Sequence, residues 1–361
     1  MVLDFAKEAI QNAETHSINF DELKAGKANI KVVGAGGMGC NAITWLYNKG
    51  ISGATVYAVN TDALHLSVTK SDEKILIGKE LTRGLGAGGR PNTGREAAKE
   101  ALAEIKKAVG GADMVFVVAG MGGGTGTGAA PVVCQVAKES GAVVIAVVTM
   151  PFESEKARID KAEFGLEELR EVTDTTIVLD NNRLVDIAGQ LPIEQAFAVA
   201  NELVSTMVKG IVETITLPSL INLDYADVSA IMKDGGVAVI GIGEADTQNK
   251  VMEAVQQALT HPLLDVDYKG ATGALIHVTC GPDLKLEEFD LIGRTVSENL
   301  NPEANVIIGA RISKDFVGKV RVITIMTGVK SPYVVGKDVE EQFTSKPASK
   351  EMSDLGIEVW R

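Results

Sequence analysis

The chain has 361 residues, a formal net charge of −13, 45% hydrophobic residues and only 4% aromatics. That length points to two soluble domains, and the scarcity of aromatics demands aliphatic cores. The acidic balance excludes nucleic acid as a partner, so a bound nucleotide would be held by local backbone N–H groups, a helix dipole or a metal ion.

Residues 1–29 carry apolar positions at Leu3, Phe5, Ala9, Ile10, Ile18, Phe20 and Leu23. They read as an N-terminal helical extension lying on the domain rather than on a membrane. From residue 30, apolar runs predict buried strands at Ile30–Val33, Thr55–Val59, Met114–Val118, Val143–Val148 and Thr176–Leu179. Helical patterns fall between them at Asn41–Asn48, Arg95–Val109, Ala129–Glu139 and Ala157–Arg170. Val/Ile-rich strands alternating with helices predict an α/β fold with a parallel sheet covered on both faces, here spanning 30–191. Apolar spacing then predicts a central helix over 192–216, about 36 Å long, with two apolar faces and buried between domains. Beyond Pro218, strands at Val237–Ile242, Leu275–Thr279, Val306–Ile312 and Val320–Thr327 and helices at Gln248–Thr260 and Leu286–Leu300 predict a smaller α+β domain with mixed sheet, over 217–330. The remainder, 331–361, reads as a flexible polar tail. It ends in the apolar-acidic run Leu355–Trp360, which suits a peptide ligand or an unstructured end.

Cys40, Cys134 and Cys280 form no Cys-x-x-Cys pair, so a reducing cytoplasm is expected, with no protein metal site. There is no signal-peptide pattern and no run of about 18 apolar residues, so no direct membrane insertion is expected.

Two glycine loops carry the chemistry. Gly34-Ala-Gly-Gly-Met-Gly39 lies between a strand and a helix and matches Gly-x-Gly-x-x-Gly, with Asp62 as a later acidic residue. Alone, that pattern favours a nicotinamide-dependent dehydrogenase. The second loop, Gly120-Met-Gly-Gly-Gly-Thr-Gly-Thr-Gly128, also follows a strand and opens a helix. Missing Cβ atoms let backbone N–H groups close on phosphate oxygens, the two threonine hydroxyls add donors, and the helix start adds a positive dipole. A dehydrogenase fold has no use for a second such loop. A third glycine-rich stretch, Gly84–Asn92, could close on a terminal phosphate. Asp224 and Asp227, at i and i+3, suit a helix N-cap or a carboxylate pair that orients water. They follow the far end of the long helix from the glycine loops, out of reach of a nucleotide in the same subunit.

Gly122-Gly-Gly-Thr-Gly-Thr-Gly128 resembles the signature of the FtsZ/tubulin superfamily, and Asn222-Leu-Asp224-Tyr-Ala-Asp227 resembles its synergy loop. The likeness spans residues 30–330 in order. Gly270–His277 is similar to the archaeal FtsZ branch. The resemblance implies a tubulin/FtsZ-type fold and a filament-forming GTPase of cell division that stacks head to tail with itself and hydrolyses GTP to GDP between subunits. It implies phosphate contacts from Gly37, Met38, Gly39, Cys40 and Asn41 and from Gly123, Gly124, Thr125, Gly126, Thr127 and Gly128. Asp62 is included in the nucleotide site. Ala87, Gly88 and Gly89 would sense the γ-phosphate, Phe197 would stack on guanine, and Asn201 would bond its edge. Glu155 and Arg158 correspond to ribose-side residues, with a spacing one residue shorter and without a glycine. Asn222, Asp224 and Asp227 would act on the neighbouring subunit's GTP. Phosphate-bound Mg²⁺, a midcell ring and a SepF-like membrane tether at the tail are further implications. A cytoskeletal or scaffold paralogue outside division is the alternative within the superfamily.

Overall fold

A computed structural model of the chain describes residues 28–217, 219–221, 223–233, 235–260, 268, 270–298 and 300–329. The N-terminal extension to residue 27, Asn222 and the tail with Leu355–Trp360 lie outside the described residues.

The first half runs β1 (Ile30–Ala35), α1 (Gly36–Lys49), β2 (Ala54–Asn60), α2 (Ala63–Val68) and β3 (Glu73–Leu76). It continues with α3 (Pro91–Glu100), α4 (Leu102–Val109), β4 (Met114–Gly120), α5 (Thr125–Glu139) and β5 (Val143–Met150). Then come α6 (Ala157–Val172), β6 (Thr175–Asp180), α7 (Asn181–Ala188) and the long α8 (Ile193–Thr216). The second half holds α9 (Tyr225–Met232), β7 (Gly236–Ala245), α10 (Lys250–Leu259), β8 (Gly273–Cys280), α11 (Leu286–Ser297), β9 (Asn305–Ile312) and β10 (Val320–Thr327).

All ten strands of the described residues join one sheet, in the order β3-β2-β1-β4-β5-β6-β7-β10-β8-β9. From β3 to β7 every pairing is parallel, β10 is antiparallel to both its neighbours, and β8–β9 is parallel again. The mixed second-half sheet is therefore continuous with the first. The seam is short: only Thr175–Ile177 of β6 pair with Gly236–Ala238 of β7. β4, β5 and β6 are buried along almost their whole length, as Val/Ile runs in a parallel sheet must be. Side chains alternate between two aliphatic cores, one on each face. Val115, Val117 and Val144 point to one, while Phe116, Val118 and Ile145 point to the other.

Two expectations change. The helix predicted over Arg95–Val109 begins earlier, because Pro91 fits the first helical position, and it breaks at Ala101. There the N–H of Ala101 reaches back three residues to Ala98 instead of four. The second change concerns α8. Its fully buried apolar residues, Val204, Met207, Val208, Ile211 and Val212, form one stripe at helical spacing, confined to the C-terminal half. The N-terminal half is covered only in part: Ala196, Val199, Ala200 and Leu203 pack at the edge of the core while Ile193 and Phe197 are exposed.

Candidate functional site

Three helices begin at one place, at the carboxyl ends of β1 and β4. α1, α3 and α5 each start without a side-chain N-cap and without an acidic residue in the first turn. The first N–H groups of a helix have no partner within it. The other described helices put a carboxylate at that end: Asp62, Asp180 and Asp224 cap α2, α7 and α9, and α4, α6, α8, α10 and α11 each carry an acidic residue in the first turn. The three bare ends are thus a converging set of donors with positive dipole ends, suited to an anion.

Glycines make this convergence possible in two ways. Some let backbones touch. A Cβ on Gly36 would lie 2.7 Å from the nitrogen of Gly126, one on Gly124 would lie 2.8 Å from the nitrogen of Arg90, and one on Gly128 would strike the carbonyl of Pro91. Others face the space between. A Cβ on Gly37, Gly88, Gly89 or Gly123 would meet nothing within 4 Å. These four line a cradle around open volume, and a polyphosphate fits its donors and its lack of Cβ atoms. The two threonines of the loop differ in their surroundings. The hydroxyl of Thr125 bonds that of Thr61 at 2.7 Å, and the buried Thr127 packs its methyl against Gly165. The Thr127 hydroxyl has no partner among the described residues, and the glycines of the signature loop turn backbone to the cradle. Cys40 is likewise buried, and burial pushes its thiol up to about 11, so it offers no thiolate. Gly39 and Cys40 support α1 from behind, while Met38 packs on the core and Asn41 is exposed.

Asp62 accepts the N–H of His65 at 3.0 Å, and its backbone bridges to Leu85. With the N–H of Gly86 on the carbonyl of Thr61 (3.2 Å), it ties the Gly84–Gly89 loop to the end of β2. From the other side Lys161 of α6 donates to the carbonyl of Gly89 at 2.8 Å. Ala87 is buried beside Gly124. The three glycine stretches form one site.

Glu155 and Arg158 pair at 2.5 Å, and Glu155 also accepts the N–H of Phe152 at 3.2 Å. A Cβ on Gly122 would lie 2.7 Å from the carbonyl of Arg158, so this pair borders the signature loop. Phe197 is 41% exposed and meets Phe152 edge to face, ring centroids 6.1 Å apart. Asn201 lies one turn further along α8 on the same face, half-buried. Neither is a core residue, which leaves an aromatic face and an amide available.

Asp224 and Asp227 sit elsewhere. They form a reciprocal capping box on α9, with Asp224 accepting the N–H of Asp227 at 2.8 Å and Asp227 accepting that of Asp224 at 3.3 Å. Next to them, the hydroxyl of Tyr225 donates to the carbonyl of Asp113 at 2.8 Å. Asp113 precedes β4, whereas the signature loop follows it. Seven strand residues at about 3.3 Å each put the two ends of β4 roughly 20 Å apart.

The family model described as Tubulin/FtsZ family, GTPase domain matches residues 29–189, and that of the FtsZ family, C-terminal domain, matches 236–330. Cell division protein FtsZ 2 of Methanocaldococcus jannaschii is 52% identical over 98% of this chain and 93% of its own length. The chain belongs to the FtsZ family. An FtsZ dimer structure from M. jannaschii is 51% identical, with a TM-score of 0.80, covering 90% of this chain and 92% of that one. A CetZ2 protofilament structure from Haloferax volcanii, at 22% identity and TM-score 0.74 over 87% of this chain and 96% of that one, shares the fold. The FtsZ-family GTPase domain holds the cradle, and the FtsZ-type C-terminal domain holds the antiparallel strands.

Sequence reasoning missed Asn60, Thr61, His65 and Lys161, which hold the FtsZ-type loops in place. The one available signal was Asp62 with His65 three residues on, a cap at a strand end.

Proposed function

We propose that this chain is a cell-division GTPase that polymerises head to tail and hydrolyses GTP at the contact between two subunits. One observation carries the reading: the phosphate cradle and the Asp224–Asp227 pair lie at opposite ends of β4, roughly 20 Å apart. A single subunit cannot bring the two together, whereas a stack places the lower end of one molecule on the cradle of the next. That the structural relative is described as a dimer of FtsZ supports stacking.

In this reading the bare ends of α1, α3 and α5 hold the phosphates, and a Mg²⁺ ion bound with the nucleotide would supply charge neutralisation there. Phe197 and Asn201 take the guanine, with Glu155 and Arg158 near the ribose. Asp224 and Asp227 of the neighbour, with Asn222, orient the attacking water, each cap leaving carboxylate lone pairs for that role. Residues 30–191 bind GTP, 192–216 form the connecting helix, and 217–330 supply the completing face. A division-site ring in the cytoplasm and a SepF-like tether acting through 331–361 complete the proposal.

Asp224→Ala tests it. GTP affinity should stay within about threefold of wild type, while hydrolysis in the polymerising regime falls on the order of 100-fold or more. Phosphate release and nucleotide binding measured side by side decide the matter. Unchanged turnover in the variant would sink catalysis in trans.

A further inference from the structure

We propose that His65 is a positioning residue for nucleotide binding, fixing the Asn41 amide so that its two N–H donors face the phosphate cradle. The inference rests on the nucleotide reading above.

Four groups form a hydrogen-bond chain with a single direction. The N–H of Asp62 donates to Oδ1 of Asn60 at 3.3 Å. That contact settles which side of the Asn60 amide is its oxygen. Nδ2 of Asn60 therefore faces Nδ1 of His65 at 3.2 Å and Sγ of Cys40 at 3.7 Å. A ring nitrogen facing a donor must accept, so the imidazole proton sits on Nε2. Nε2 then donates to Oδ1 of Asn41, 3.0 Å away. The oxygen of Asn41 is thereby engaged, and its NH₂ group has no partner among the described residues.

The position of Asn41 gives that NH₂ its use. Asn41 is exposed and lies four residues after Gly37 on α1, hence on the same face. Gly37 is one of the four cradle residues whose Cα faces open space. An asparagine free to rotate would offer an anion its oxygen as readily as its nitrogen. Held by His65, it offers only donors. The chain is firmly anchored: Asn60 and Cys40 are buried, and burial keeps Cys40 a neutral thiol rather than a competing anion. Asp62 pins the backbone of His65 by capping α2.

The test is a titration of the full-length protein with a fluorescent GTP analogue. His65→Phe keeps a ring and removes the N–H, and His65→Gln keeps an N–H donor near the Nε2 position. His65→Leu replaces Phe if the larger ring overpacks the site, with thermal unfolding followed for each variant. His65→Phe should weaken binding about tenfold, and His65→Gln should stay within about threefold of wild type. In an Asn41→Ala background the Phe variant should cause no further loss, because both changes break one chain. Affinity of His65→Phe within twofold of wild type, or a loss that adds fully to that of Asn41→Ala, would overturn the proposal. Wild-type protein that binds no GTP would instead overturn the nucleotide reading, and the relay with it.

Discussion

Lys156 holds φ at +36° and ψ at −90°, in a region L-residues rarely adopt, at the turn between Glu155 and Arg158. Strain of this kind costs on the order of 1–3 kcal/mol, part of which glycine would return as backbone entropy lost on folding. Lys156→Gly should therefore stabilise the fold by about 1 kcal/mol in chemical denaturation. A destabilised variant would mean that the lysine side chain makes up for its own backbone. His277 lies on β8, only 4% exposed, with both ring nitrogens buried and unpartnered among the described residues. Desolvation, and secondarily the charge of Arg311, lower its pKa from 6.5 to about 4. The sign follows directly. The unfolded chain binds a proton below about pH 6.5, and the folded one does not until about 4. Stability is thus full above 6.5 and lost as pH falls through that window, by about 3 kcal/mol in all. Unfolding free energies at pH 7 and pH 4.5 should differ less in His277→Leu than in wild type. An equal difference would show that other groups carry the acid sensitivity.

At the scale of elements, the charge placed at helix starts sets three helices apart from the rest. Every other described helix has a capping carboxylate or an acidic residue in its first turn, whereas α1, α3 and α5 have neither and are left open toward one cradle. Each open end is worth up to about 1–2 kcal/mol toward an anion at contact distance. The overall −13 charge opposes this weakly, since salt screens it beyond about 8 Å. Close packing also sets some glycines. A Cβ on Gly241 of β7 would fall onto the carbonyl oxygen of Ala258, because α10 rests directly on the strand. Gly241→Ala should destabilise the protein by about 3 kcal/mol, read from the denaturation midpoint. A neutral substitution would mean that α10 shifts freely. Most strands were legible in the sequence because Val/Ile runs in a parallel sheet are self-announcing. β3, with the composition Glu-Lys-Ile-Leu, was not: an edge strand owes its form to pairing with β2, which local sequence does not encode. The short α2 and α7 were missed for a different reason, as six and eight residues carry too little periodicity. The glycine loops were legible because their chemistry is local. The Asn60–His65–Asn41 chain was not, because it joins three elements that only the fold brings together.

At the scale of the whole molecule, the continuous sheet acts as a spacer. Its buried strands fix the cradle at one end and the Asp224 capping box at the other, and neither end can move toward the other without breaking β4 out of the core. The seam between β6 and β7, three residue pairs long, is where the two halves of the sheet meet most sparingly. In the proposed function, each molecule holds half a site at each end and gains turnover only by meeting another copy. The direct measurement is GTP hydrolysis per subunit as a function of protein concentration at saturating GTP. Specific activity that rises from near zero through a threshold and then levels off is the expected result. Specific activity that stays constant down to the most dilute sample would contradict a site shared between subunits.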